Sequence, residues 1–191
     1  LWHCFEVHSE LSNLDKNELL AQLNNLIDVT NKHISEATHV LITLGTSWVY
    51  KLKSTNEIVA NCHKVPQKEF EKELLSAEQI EQSLQNIISN ITSVNANAKF
   101  IFTVSPVRHS KDGFFENNVS KAHLLSAVFK TVNRQPTTAN YFPSYEIMMD
   151  ELRDYRFYAN DMLHPSQQAI DFIWIKFFEN YVNVKEFQIM Q

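Results

Sequence analysis

Asp161 and His164 stand three residues apart near the end of the chain, in the run Asp150-Glu-Leu-Arg153-Asp154-Tyr155-Arg156-Phe157-Tyr158-Ala-Asn160-Asp161-Met-Leu-His164-Pro165-Ser166. A carboxylate beside an imidazole fixes its tautomer and stabilises the imidazolium, which suits His164 to act as a general base with Asp161 orienting it. The same spacing also fits a surface loop whose Asp caps the next helix. The aromatic and charged residues crowded around it favour a site, because loops carry function when a scaffold holds them.

A base needs a nucleophile, and the chain offers several poor ones. His8 and Ser9 are neighbours, whereas triads are assembled from distant positions. Ser105 has His109 nearby, but Pro106 follows it directly and no G-x-S-x-G elbow surrounds it. Ser105, Arg108 and His109 therefore read as the wall of a pocket, with Arg108 and Lys121 available to hold an anionic or polar group. Cys62 with a distant His is a formal alternative. Cys62 and His63 alone do not make a zinc site, and His63, His109, Asp161 and His164 lack a recognised ligand spacing, so no metal or cofactor is expected. Gly45-Thr46-Ser47-Trp48 is more informative. A glycine and two hydroxyl residues at the end of a strand can bring donors to an oxyanion, although a tight turn needs no more than this either.

The elements that would position these groups follow from periodicity. Residues 13–34 predict a helix with Leu19, Leu20, Leu23, Leu26, Ile27 and Thr30 on one side. Thr38–Leu44 is a continuous β-branched, apolar run, as expected of a parallel strand buried on both faces. Trp48–Lys53 and Glu57–Ala60 predict a hairpin that rims the pocket, with Trp48 and His63 near the substrate. Ser76-x-x-Gln79 is a capping box opening an amphipathic helix through Ile80, Leu84, Ile87, Ile88 and Ile91. Lys99–Val104 is a second buried strand, so strand, helix and strand make a βαβ unit. A helix over 118–133 would turn Ala122, Leu125, Val128, Phe129 and Val132 inward. Asn140–Phe142 reads as an edge strand, followed by a brief helix from Pro143. After His164, Pro165 suits the first helical turn, and Ile170, Ile173, Trp174, Phe177, Phe178 and Tyr181 mark a buried face. The tail from Val182 carries no evident role.

With 191 residues, 44% hydrophobic and 20% charged, the chain suits one globular domain. A net charge of -5 without a basic block disfavours nucleic acid as a partner. No apolar run approaches about 18 residues, so no membrane partner is expected. Two distant cysteines allow no disulfide framework and favour a reducing, cytoplasmic compartment. The chain opens on Leu and has only two glycines, few for an α/β enzyme, and both observations suggest that part of a domain precedes Leu1.

Taken in order, these pieces resemble the GSCFA family, a branch similar to the SGNH (GDSL-like) hydrolases. The matching strings are Thr43–Tyr50, Val59–Pro66, Ser105–His109, Glu116-Asn117 with Ser120–Ala122, Tyr141–Pro143 through Ala159, and Asp161–Ser166. The resemblance implies a three-layer α/β/α sandwich with a mostly parallel sheet, and esterase or acyl-transfer chemistry on a small-molecule or carbohydrate ester. It implies His164 as base, Asp161 as orienter, and an oxyanion pocket at Gly45, Thr46 and Ser47, with Ser47 where the wider superfamily carries a donating Asn. The Gly-Ser-Cys-Phe-Ala string that names the family, and whose Ser is similar to a nucleophile, is absent. The expectation is that it lies upstream, with the first, central strand of the sheet, leaving apolar faces and strand edges exposed. The alternative is a non-catalytic domain that binds a carbohydrate or small ligand in the same pocket. The oligomeric state is not legible.

Overall fold

The computed structural model describes residues 1–182. In chain order the elements are β1 (Trp2–His3), β2 (Ser12–Asn13), α1 (Lys16–Glu36), β3 (His39–Leu44), β4 (Trp48–Leu52), β5 (Glu57–Val59), β6 (Phe70–Leu74) and α2 (Ala77–Val94). There follow β7 (Lys99–Val104), α3 (Phe114–Arg134), β8 (Ala139–Phe142), a short α4 (Ser144–Glu146) running into a π-helical turn, Ile147–Leu152, and finally α5 (Gln167–Tyr181). They form two compact units: Leu1–Val40 with Ser47–Lys99, and Leu41–Thr46 with the chain from Phe100 onward. The protein is α/β. The tail that carried no reading lies, from residue 183, outside the described residues. No helix among those described is long and apolar enough to cross a membrane.

In the first unit β4 lies between β5 and β6, antiparallel to both. The predicted hairpin is there, turning at Asn56 in the left-handed region (φ 62), which Asn tolerates better than most residues. The third strand, β6, was not expected. Its sequence Phe-Glu-Lys-Glu-Leu reads as polar because only Phe70 is buried (5% exposed). Lys51 and Glu73 pair across the sheet at 2.8 Å. Helix α2 opens with the predicted reciprocal cap between Ser76 and Gln79 and buries Ile80, Leu84 and Ile88. Ser76→Ala is expected to cost about 1 kcal/mol, seen as a lower urea midpoint at unchanged m-value. Helix α1 begins at Asp15, whose carboxylate accepts the N–H groups of Asn17 and Glu18. Its expected apolar face is largely uncovered: only Leu19 is buried, and Leu20, Leu26 and Ile27 are exposed. Periodicity marks a face; it does not supply elements to cover it.

The second unit holds the parallel sheet, in the order β3-β7-β8. Lys99 N–H donates to Thr38 O, and Ser105 N–H to Leu44 O, the constant stagger of a parallel pair. β8 pairs parallel with β7 from Phe100↔Ala139 to Thr103↔Phe142, so β8 is the edge that was predicted. β7 is central, with Phe100, Ile101, Phe102 and Val104 buried. β3 departs from expectation. Its burial alternates, and Leu41 is 56% exposed, because β3 is the other edge of the sheet and has a single strand neighbour among the described residues.

Helix α3 starts at Phe114, four residues before the predicted start, and buries a different face: Asn117, Ser120, Lys121, Leu124, Ala127, Val128 and Thr131. Ala122 and Phe129 point outward instead. The polar residues on that face answer to the ends of strands, as described below. Helix α5 packs Phe172, Ile173, Phe177 and Tyr181 around the buried Ile101, Phe142 and Ile147. Phe177 meets the Phe142 ring edge-on at 5.1 Å. Ile170 and Trp174, expected on the buried face, are exposed: both line a cavity with Leu41, and Trp174 stacks on Phe177 at 5.6 Å.

Candidate functional site

The geometry around His164 lies within the second unit. The loop that bears His164 is closed by its own backbone. Ala159 N–H donates to His164 O at 2.8 Å, and Ser166 N–H donates to Phe157 O at 2.7 Å. Tyr158 and Pro165 thus form an antiparallel bridge with the Asp161 turn at its tip. Met162 sits in that turn with φ 60, a conformation that costs a non-glycine residue about 1–2 kcal/mol. Pro165 precedes the helix rather than opening its first turn. Ser166 is the N-cap, its hydroxyl accepting from Ala169 N–H, so Asp161 does not serve as the cap of α5.

Asp161 instead holds the loop and the ring together. One carboxylate oxygen accepts the N–H of Leu163 (2.9 Å) and of His164 (3.0 Å), and the other lies 2.6 Å from His164 Nδ1. The backbone N–H of His164, then that of Leu163 and the His164 ring, hold its pKa down to about 2. An ionised Asp161 places the hydrogen on Nδ1 and leaves Nε2 with its lone pair. Both side chains are about half exposed (59% and 47%), and Nε2 makes no hydrogen bond among the described residues.

His164 lines an apolar cavity of about 460 Å³ together with Thr43, Ser105, Val107, Ile173 and Phe177. Ser105 follows β7 directly, and its hydroxyl accepts from Val107 N–H at 3.2 Å. Gly45 is not among the lining residues. It lies beside His109, whose Nε2 would be 3.6 Å from a Cβ added at Gly45. That is ordinary contact, so the close approach expected of this glycine is not sterically demanded by the described residues.

The ends of β3 and β7 are tied by Lys121. This buried ammonium donates to Gly45 O and to Ser105 O, each at 2.6 Å, and lies 5.8 Å from the centre of the Tyr145 ring. Burial pulls its pKa down to about 8. Two further α3 residues face the same turns: Asn117 Oδ1 accepts from His109 N–H at 2.9 Å, and the Ser120 and Thr46 hydroxyls are 3.0 Å apart. Lys121 is therefore engaged with the main chain, where the sequence had suggested a group for the substrate. The sequence reading quoted Asn117 and Ser120 only among the strings of the resemblance and gave them no place in the site. Their signal was the polar Asn-x-x-Ser-Lys step at helical spacing, which an inward-facing apolar pattern hides.

Arg108 is fixed differently. Its N–H donates to Leu163 O at 3.0 Å, and its guanidinium lies over the Tyr158 ring at 4.1 Å. It is thus tied to both strands of the His164 loop.

The remaining predicted residues belong to the first unit. Ser47 is 1% exposed, and its carbonyl accepts from Leu75 N–H. Trp48 begins β4, with the Lys72 ammonium 4.8 Å over its ring. His63 stacks on His3 at 4.6 Å, and its Nε2 lies 2.7 Å from Cys4 O. His8 Nδ1 accepts from Glu10 N–H and does not address Ser9. Cys4 and Cys62 are free thiols, and burial raises the pKa of Cys62. No group of three or more His, Cys, Asp or Glu among the described residues is placed to hold a metal.

No curated protein matches the chain. The model of the GSCFA family matches residues 1–177, and with nearly the whole sequence inside that match the chain belongs to the GSCFA family.

Proposed function

We propose that this is an SGNH-like esterase or acyltransferase domain in which His164, oriented by Asp161, activates a serine hydroxyl. The observation that carries the reading is the 2.6 Å contact between Asp161 and His164 Nδ1, which leaves Nε2 open on a loop braced by backbone bonds. For the fold we propose the α/β/α sandwich of those hydrolases; its support is a parallel sheet whose strands give out into polar turns.

The serine oxygen attacks the ester carbonyl while Nε2 takes its proton. The oxyanion of the tetrahedral intermediate is held at the turn after β3, at Gly45 and Thr46. The C–O bond to the alcohol then breaks, the alcohol leaves with the proton from Nε2, and water or an acceptor alcohol repeats the sequence on the acyl-enzyme.

The nucleophile, in this proposal, lies outside residues 1–191. Nε2 meets no serine hydroxyl among the described residues, and the Ser105 hydroxyl is turned to its own Val107 N–H. The edge of β3 is unpaired in the described sheet, and Leu41, Ile170 and Trp174 stand exposed around the apolar cavity. A strand pairing there would cover them and bring in the serine. The 191-residue chain is therefore expected to hydrolyse p-nitrophenyl acetate no faster than buffer. The longer protein should be labelled by a fluorophosphonate on a serine outside this segment, with labelling lost in His164→Ala. Turnover by the 191-residue chain that depends on His164, or label on Ser105 or Ser9, would overturn the assignment.

A second reading, a non-catalytic domain binding a carbohydrate or small ligand, draws support from the burial of Ser47, which the resemblance would set where the wider superfamily carries a donating Asn. Failure of the longer protein to label at all would favour it.

A further inference from the structure

Beside the His164 loop lies a cavity of about 200 Å³ lined by Arg108, Arg153, Asp154, Tyr155 and Tyr158 with two methionines. It adjoins a second, of about 290 Å³, with which it shares Arg108, Met149 and Tyr155. The charge arrangement here is unusual for a chain of net charge -5. Neither the Arg108 nor the Arg153 guanidinium has a carboxylate partner among the described residues. The one acid in the lining is already satisfied: Asp154 pairs with Arg156 at 3.1 Å and accepts that residue's N–H, and both bonds lower its pKa. Arg156 thus shows what a compensated arginine looks like in this segment, and the two that face the cavity differ from it.

The placement of Arg108 is also fixed by more than its side chain. The bond from its backbone N–H to Leu163 O fixes its main chain to one side of the loop that presents His164, and its guanidinium lies over the Tyr158 ring on the other side. A guanidinium held over a ring by cation–π attraction keeps N–H groups to donate, which suits it to capture of an oxoanion. Tyr155, 70% exposed, adds an aromatic face beside it.

We infer that Arg108 and Arg153 form a subsite for an oxoanion, a carboxylate or phosphate carried by the substrate, with Tyr155 packing against the ring or chain that bears it. The inference rests on the hydrolase reading of His164 and narrows it to negatively charged esters.

Binding can be read without turnover. Calorimetric titration with glucuronate, glucose 6-phosphate and neutral glucose separates carboxylate, phosphate and bare sugar. At least one of the two anions is expected to bind, and glucose more weakly by tenfold or more. Arg108→Gln and Arg153→Gln should each weaken the anion tenfold or more. Arg108→Lys should recover only part of the loss, because it keeps the charge and loses the stacked fork. Thermal melts matching the parent exclude misfolding as the cause. His164→Ala should bind the anions unchanged, so a subsite that binds while the longer protein lacks esterase activity would refute the hydrolase reading alone. Absence of anion binding, equal binding of glucose, or anion binding indifferent to both arginines would overturn the subsite whatever the activity.

Discussion

Asp161→Asn is expected to lower kcat for the proposed ester hydrolysis by about 10³–10⁴-fold while leaving the loop folded, and His164→Ala to do at least as much. The reason lies in which atoms each substitution keeps. The amide oxygen introduced by Asp161→Asn can still accept the N–H groups of Leu163 and His164, the two bonds that shape the turn. The amide nitrogen would replace the carboxylate oxygen that lies 2.6 Å from Nδ1. A donor at that point makes Nδ1 an acceptor and puts the hydrogen on Nε2, the nitrogen that has to take the proton. The pH profile separates this from simple unfolding. Asp161 has its pKa depressed to about 2, so its support of the loop is complete above the ordinary carboxylate range and is lost only as pH falls through about 2. An acidic limb anywhere above pH 4 therefore does not arise from Asp161. Circular dichroism of Asp161→Asn should match the parent across the same range. A variant with parental kcat would show that the carboxylate does not orient the base.

Lys121 should make the protein more stable as the pH is raised from 8 to 10. Burial brings its folded pKa to about 8, against 10.5 for the ordinary side chain. Between those values the folded chain has released a proton that the unfolded chain keeps, and stability then rises with pH by about 1.4 kcal/mol per unit. The gain is about 2–3 kcal/mol over that window. Deprotonation does not dismantle the site, because a neutral amine still has two N–H groups for the carbonyls of Gly45 and Ser105. Tyr141, Tyr145 and Tyr181, whose pKa values burial raises, pull the other way above pH 10. Lys121→Met retains those tyrosines and provides the subtraction. Its urea-derived stability should lack the rise, while at pH 7 it loses both donors to buried carbonyls. A pH dependence identical to the parent would mean that Lys121 stays charged throughout.

Much of the scaffold was legible because local chemistry and final structure agree. The Ser76/Gln79 cap, the β-branched run of β7 and the apolar spacing of α2 each carry their own signal. What failed was the partner of each face. The periodicity of α3 was read from its apolar residues, but Asn117, Ser120 and Lys121 are buried there because strand ends present carbonyls and N–H groups that need partners. β6 escaped notice since only Phe70 at its start is buried. The contact between Asp161 and His164 was suggested by their spacing together with the family resemblance, since the spacing fitted a helix-capping loop as well. The backbone ring that holds them, and the stacking of Arg108 on Tyr158, depend on pairings between residues that no single stretch of sequence contains.

The edge of β3, which no strand among the described residues covers, bears on how the chain behaves in solution. Its six residues, His-Val-Leu-Ile-Thr-Leu, include neither a lysine nor a proline to discourage pairing, and Leu41, Ile170 and Trp174 add exposed hydrocarbon. Such an edge is a template for any other extended chain, another copy included. With that edge open, this polypeptide is expected to self-associate as it is concentrated, so dilute handling belongs in any purification of it.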